Sequence, residues 1–221
     1  MSSADDSGQL LQDHDCAPPL APEKDMSEEG AVNPTEPSEM DDEGSVDEDG
    51  VTTLMKAASR NDVKAVKHYI PYQARMVARF VKAGRVKIRE GTALMVAAAL
   101  GHVEAVKLLM RCEGGMRDSE EWTALMWAAL VGRTEVVRLL LKIEGGMQKG
   151  RGYTALVLAA RHDHLECVKL LLEKERDISG VDAIHMANRW QHPEVVSFLE
   201  SEGIVDPYLR MPPRKLVSER A

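Results

Sequence analysis

The sequence predicts an all-α solenoid of about five stacked helix-turn-helix units. Three observations carry that prediction: a phrase that returns at a fixed spacing, apolar residues at helical period inside each copy, and a turn residue between the paired helices. Thr92, Thr123 and Thr154 each open the phrase "TAL" and stand 31 residues apart. Nine residues further the phase falls on Gly101, Gly132 and Asp163, and 21 residues further on Glu113, Glu144 and Glu175. Two weaker copies keep the register: Thr52 opens "TTLMKAASRNDVKAVKHYI", and Asp182 opens "DAIHMANRWQHPEVVSFLE".

Residues 1–50 come first and differ in kind from the rest. They hold sixteen Asp and Glu against the single Lys24, whereas the remaining residues carry twenty acids and twenty-seven bases within an overall charge of -8. Five prolines and the absence of aromatic residues leave this arm too little apolar area to offset its ordering entropy. It is expected to be disordered. The array then fills 51–204, divided as 51–90, 91–121, 122–152, 153–180 and 181–204, and a short basic tail occupies 205–221.

Within each unit, the first helix starts at a Thr whose hydroxyl can cap it, and paired alanines such as Ala97 and Ala98 let neighbouring helices approach closely. The turn that follows calls for positive φ, which Gly101 and Gly132 adopt freely and Asn61 or Asp163 tolerate; Gln191 is the poor fit. The second helix turns an apolar stripe inward, Val103, Val106, Leu109 and Met110 in the second unit. Pro193 sits in the first turn of the last one, where its missing N–H costs nothing. A helix pair of this size cannot hide its own apolar face, so it becomes stable only between neighbours.

The first unit carries an insertion. Met76 keeps the phase of Met116, yet sixteen residues separate it from Thr92 where seven separate Met116 from Thr123. The stretch "RMVARFVKAGRVKIRE" contributes Arg75, Arg79, Lys82, Arg85, Lys87 and Arg89 against Glu90 alone. It reads as a longer solvated finger or an extra helical turn, or as a docking patch for an acidic partner. The oppositely charged arm is a candidate to fold back over it as an electrostatic gate.

No Gly-rich phosphate loop, nucleophile motif or paired metal-ligand spacing occurs, so neither catalysis nor a cofactor is expected. His162 and His164 straddle Asp163, but residues two apart do not face each other on a helix, and no metal site is expected there. Cys16, Cys112 and Cys167 are isolated and are expected to be reduced thiols, with Cys167 buried. No run of about 18 apolar residues and no secretory leader is present, which points to a soluble, cytoplasmic monomer. Binding of nucleic acid through the net-positive array is the rival functional class. It is opposed by the acidic arm on the same chain and by the lack of aromatic residues interleaved with the basic ones.

The wording "GHVEAVKLLM" and "GRTEVVRLLL" resembles the ankyrin repeat. The chain departs from that pattern where Ala93, Ala124 and Ala155 replace a proline and where Met95, Met126 and Val157 replace a histidine that only His185 keeps. "TALM", "EGGMRD" and "EGGMQK" further resemble the diplomonad-protist protein 21.1 family. The resemblance implies a non-catalytic scaffold that binds a protein partner on the concave side, at inter-repeat turn tips and first-helix ends. Carried over by position, that surface comprises Ala99, Leu100, Trp122, Leu130, Val131, Tyr153, Arg161, His162, Arg189 and Trp190. Trp127 aligns with Val96 and Leu158 and is expected in the core.

Overall fold

The computed structural model describes residues 46–150 and 152–208. Most of the acidic arm, with Cys16, and the basic tail from residue 209 lie outside the described residues. The array is helical throughout except for one small antiparallel sheet: α1 (Thr53–Arg60), α2 (Val63–Gln73), β1 (Ala78–Ala83), β2 (Val86–Gly91), α3 (Ala93–Leu100), α4 (Val103–Glu113), α5 (Ala124–Val131), α6 (Thr134–Glu144), α7 (Ala155–Arg161), α8 (Leu165–Arg189) and α9 (Pro193–Ser201). Helices α1, α3, α5 and α7 pack side by side as an inner layer, while α2, α4, α6 and α8 form the outer one.

Local chemistry sets these boundaries. The hydroxyls of Thr52, Thr92 and Thr123 accept the N–H of Met55, Met95 and Met126 at 3.1, 3.4 and 3.4 Å. Thr154 makes no such cap; its hydroxyl meets Ser179 Oγ at 2.6 Å instead. The turn residue is left-handed in all five units, at Asn61, Gly101, Gly132, Asp163 and Gln191. Leu54, Leu94, Leu125, Leu156 and Ile184 recur at one repeat position and are buried, as are Leu109, Leu140, Leu171 and Leu199 at another. Burial of each such side chain is worth roughly 1.5–3 kcal/mol.

Two elements differ from the two-helix pattern. The insertion is neither irregular nor helical: β1 and β2 pair with Val81 opposite Ile88, Lys82 opposite Lys87 and Ala83 opposite Val86. Gly84, at φ 61°, takes the first place of the two-residue turn. The second difference is α8, whose 25 residues run through the expected unit boundary at 180/181. Units two and three break their outer helix at Gly114-Gly115 and Gly145-Gly146, with Gly115 at φ 80° and Gly146 at φ 87°. Arg176 and Asp177 stand in their place in unit four, and residues with side chains and no need for a left-handed turn let the helix continue.

The described residues extend on either side of 51–204. Val46 pairs with Thr52 across a turn closed by Asp47, whose carboxylate accepts the N–H of Asp49 and Val51 at 3.1 and 2.8 Å. At the other end Asp206 is buried and accepts from Asn188 Nδ2 at 3.0 Å, and the ring of Tyr208 lies 4.7 Å from that of His185. Cys167 is free and buried, as expected, and burial pushes its thiol up. Cys112 is disulfide-bonded, which corrects the expectation of reduced thiols at that position.

Candidate functional site

Two polar ladders hold the units in register and thereby position the surface. In the first, His102 Nε2, Arg133 Nε, His164 Nε2 and His192 Nε2 donate to the carbonyls of Ser59, Ala99, Leu130 and Arg161, all at 2.9–3.2 Å. Each bond joins the start of one unit's outer helix to the end of the preceding inner helix. His164 is therefore a rung, and among the described residues no cluster has the makings of a metal site. Burial, followed by the charge of Arg161, lowers the pKa of His162.

The second ladder uses the in-phase acids. Glu113, Glu144 and Glu175 are buried, and each presents one oxygen to its own inner helix, accepting from Leu94 N, Leu125 N and Leu156 N at 2.7–2.8 Å. Its other oxygen accepts from the preceding unit: Arg75 N at 3.1 Å, Gly115 N at 2.9 Å and Gly146 N at 3.0 Å. Gln73 fills the same place in the first unit and accepts from Leu54 N at 2.7 Å. Burial pushes all three carboxyls above their usual range, and the backbone donors offset it only in part. The sequence displayed this period without revealing its use.

At the amino-terminal end of the inner layer stands a row of fingers. The finger over 117–122 closes through Asp118 N to Trp122 O at 3.0 Å, and the next through the Lys149–Tyr153 bridge. Arg117 Nη1 ties the two together by donating to Glu121 O and Gln148 O at 3.0 and 2.8 Å. Ser119 N donates to Arg89 O at 3.2 Å, so the β1–β2 hairpin is an elongated member of the same row. Its apolar side, Val81, Ala83 and Ile88, is buried, both strands contact α3, and Gly84 at its tip approaches Leu100. The hairpin therefore lies along α3 and covers that part of the inner face.

The surface positions expected from the sequence fall into two clusters. Trp122 and Tyr153 close successive fingers, each where its finger returns to the inner helix. Trp122 stacks on Trp127 with ring centroids 4.6 Å apart, Lys149 Nζ lies 4.7 Å from its centre, and Tyr153 is 37% exposed. The indole N–H of Trp122 is buried without a partner among the described residues. Trp127 is core, as expected, and donates Nε1–H to Asp118 Oδ2 at 3.0 Å. At the opposite end of the inner helices, about 10–12 Å away by their length, stand Leu130, Val131, Arg161, His162, Arg189 and Trp190. There the guanidinium of Arg161 lies 5.0 Å from the ring centre of Trp190, which is 50% exposed.

Two of the expected positions offer less. Ala99 is only 2% exposed, because α3 is buried from Ala93 through Ala99, and its carbonyl is already taken by Arg133. Leu100 is partly covered by the hairpin tip. Lys149 was missed, since it reaches Trp122 from the next finger and only the side-by-side packing of the fingers brings the two together; the in-phase phrases "EGGMRD" and "EGGMQK" mark both fingers. Of the six basic positions, Arg75 belongs to the end of α2, with left-handed φ of 68°, and the other five lie on the hairpin.

Among the described residues no helix is long and apolar enough to cross a membrane. The family model for ankyrin repeats, in three copies, matches residues 54–150 and 143–207. No curated protein matches the chain.

Proposed function

The chain belongs to the ankyrin-repeat family, and from that premise we propose that it works as a non-catalytic adaptor, gripping a protein partner across its third to fifth units. Ankyrin repeats are generally protein–protein interaction modules. The observation that carries the reading is the distribution of open surface. Over α3 the inner face is covered by the chain's own hairpin, while beyond it Trp122 and Tyr153 stand at one edge and Arg161 and Trp190 at the other. Partly exposed aromatic rings, here Trp122 and Trp190 with cations over them and Tyr153 beside the first, are stiff, amphipathic anchors of the kind that dominate interface energies. The finer kinship with the protein 21.1 family is part of this proposal and rests on the "TALM" and "EGGM" phrases.

A partner segment crossing α5 and α7 meets both clusters. Two full-length variants test this, Trp122→Ala with Tyr153→Ala, and Leu130→Ser with Trp190→Ala. Affinity capture from the cell of origin, read by mass spectrometry, should return a set of proteins with the wild type that both variants lose, with circular dichroism unchanged. Truncating one true anchor costs about 2 kcal/mol, roughly thirtyfold in affinity. Folded variants that recover every protein the wild type recovers would overturn the reading.

A further inference from the structure

The outward face of the hairpin is cationic, and among the described residues no carboxylate pairs with its two facing lysines. Lys82 and Lys87 are directly opposite each other across the strands, an arrangement of like charges that costs free energy unless counter-charge is supplied. Phe80 lies on the same face, with Lys87 Nζ at 3.9 Å and Arg89 Cζ at 5.7 Å from its ring centre. Among the described residues neither lysine makes an ion pair. This face forms one wall of a cleft of about 510 Å³ whose other wall belongs to the first unit. Val51, Met55, Phe80 and Val81 give it an apolar lining, and Lys56, Lys82 and Lys87 give it positive charge.

The position of the chain decides the occupant. Val46 is pinned to Thr52, and Asp47 and Asp49 already line the same cleft. Asp47 is committed elsewhere: one oxygen closes its own turn and the other faces Lys56 Nζ at 3.9 Å. Immediately before Val46 stands "SEMDDEGS", residues 38–45, with four acids around the single apolar Met40. We propose that this segment docks in the cleft, its acids against Lys82 and Lys87 and Met40 on the apolar lining. The six residue steps from Met40 to Val46 span up to about 20 Å, the length of the hairpin strands. A tether this short gives an effective concentration in the range of mM, so weak contacts suffice.

The experiment compares the full chain with Glu39→Gln, Asp41→Asn, Asp42→Asn and Glu43→Gln combined. In ¹H–¹⁵N spectra at about 0.02 M salt, the amides of Phe80, Lys82 and Lys87 should differ between the two proteins, and the difference should collapse near about 0.5 M salt, where the screening length falls to a few ångströms. A synthetic peptide of residues 38–45 should bind the neutralised variant at least about tenfold more tightly than the wild type, whose cleft is occupied. Adding Lys82→Ser and Lys87→Ser to that variant should abolish peptide binding. Unchanged hairpin resonances, differences centred instead on Arg161 and Arg189, or equal peptide affinity for the two proteins would each overturn the proposal. The cleft lies on the first unit and the hairpin, so any of these results leaves the adaptor reading of the later units intact.

Discussion

Glu144 Oε1 accepts the backbone N–H of Gly115 at 2.9 Å across the interface between two units, while its Oε2 accepts that of Leu125 at 2.7 Å within its own. One buried carboxylate thus fixes both the start of an inner helix and the spacing to the preceding unit. Replacing it with alanine strands two buried N–H groups, each worth about 1–3 kcal/mol when unsatisfied. Glu144→Ala is therefore expected to cost about 3 kcal/mol in urea unfolding followed by circular dichroism. Glu144→Gln should cost about 1 kcal/mol, since Gln73 makes the helix bond in the first unit but an amide leaves one donor facing Gly115. Equal stability of the alanine variant and the wild type would mean that the rung is ornamental.

The same ladder sets a pH dependence. Burial, the largest influence, raises Glu113, Glu144 and Glu175 above the usual 4.5. A raised folded pKa means that the folded chain still binds protons which the unfolded chain has released. The stability due to these groups is complete below about 4.5 and is lost as pH rises through the raised values. The urea midpoint should fall as pH climbs from there toward neutral, and the triple Glu→Gln variant should flatten that slope. A wild-type slope that survives the triple substitution would assign it to other groups.

The paired glycines that end α4 have different tasks, and alanine substitution separates them. A Cβ on Gly114 would lie 2.5 Å from the carbonyl oxygen of Met110, so backbone must move. Gly115 has open space around it but a φ of 80°. Gly115→Ala is expected to cost about 1 kcal/mol, the ordinary penalty of a left-handed alanine. Gly114→Ala should cost more, about 2 kcal/mol, in the range of steric overpacking. Equal melting temperatures for the two variants would count against this division.

Much of the fold was legible because its determinants are local. Thr92 and Thr123 announce helix starts, Gly101 and Gly132 announce left-handed turns, and even Gln191 adopts the conformation its repeat position demands. The hairpin was legible too, had alternation been weighed over phase: Val81 and Ala83, then Val86 and Ile88, alternate with charges around Gly84. The surface was harder to read. Whether Ala99 faces outward depends on how closely α3 packs and on a hairpin folded over it, and the cation over Trp122 comes from 27 residues further along. These are consequences of stacking, to which no single repeat testifies.

The fused helix α8 yields the last prediction. Where the second and third units have Gly-Gly after the ladder glutamate, the fourth has Arg176 and Asp177, and the helix runs on to Arg189. Its continuation serves the carboxyl-terminal cap: Arg176 donates to the Glu202 carbonyl and pairs with its carboxylate at 3.7 Å, and Gly180 leaves room for Ile204, whose Cδ1 would lie 3.1 Å from a Cβ there. Restoring the break with Arg176→Gly and Asp177→Gly should therefore not produce a better repeat. Each glycine costs about 1 kcal/mol in a helix interior, and the exposed Arg176 pair adds at most a few tenths. The loss of about 2 kcal/mol should concentrate at the end of the array, because neighbouring units are coupled only through their interfaces. Hydrogen exchange should then accelerate in α9 and in the second half of α8 while α3 and α5 keep their protection. If the variant instead matches the wild type in stability and exchange, the fused helix is a passive outcome of composition and the cap does not depend on it.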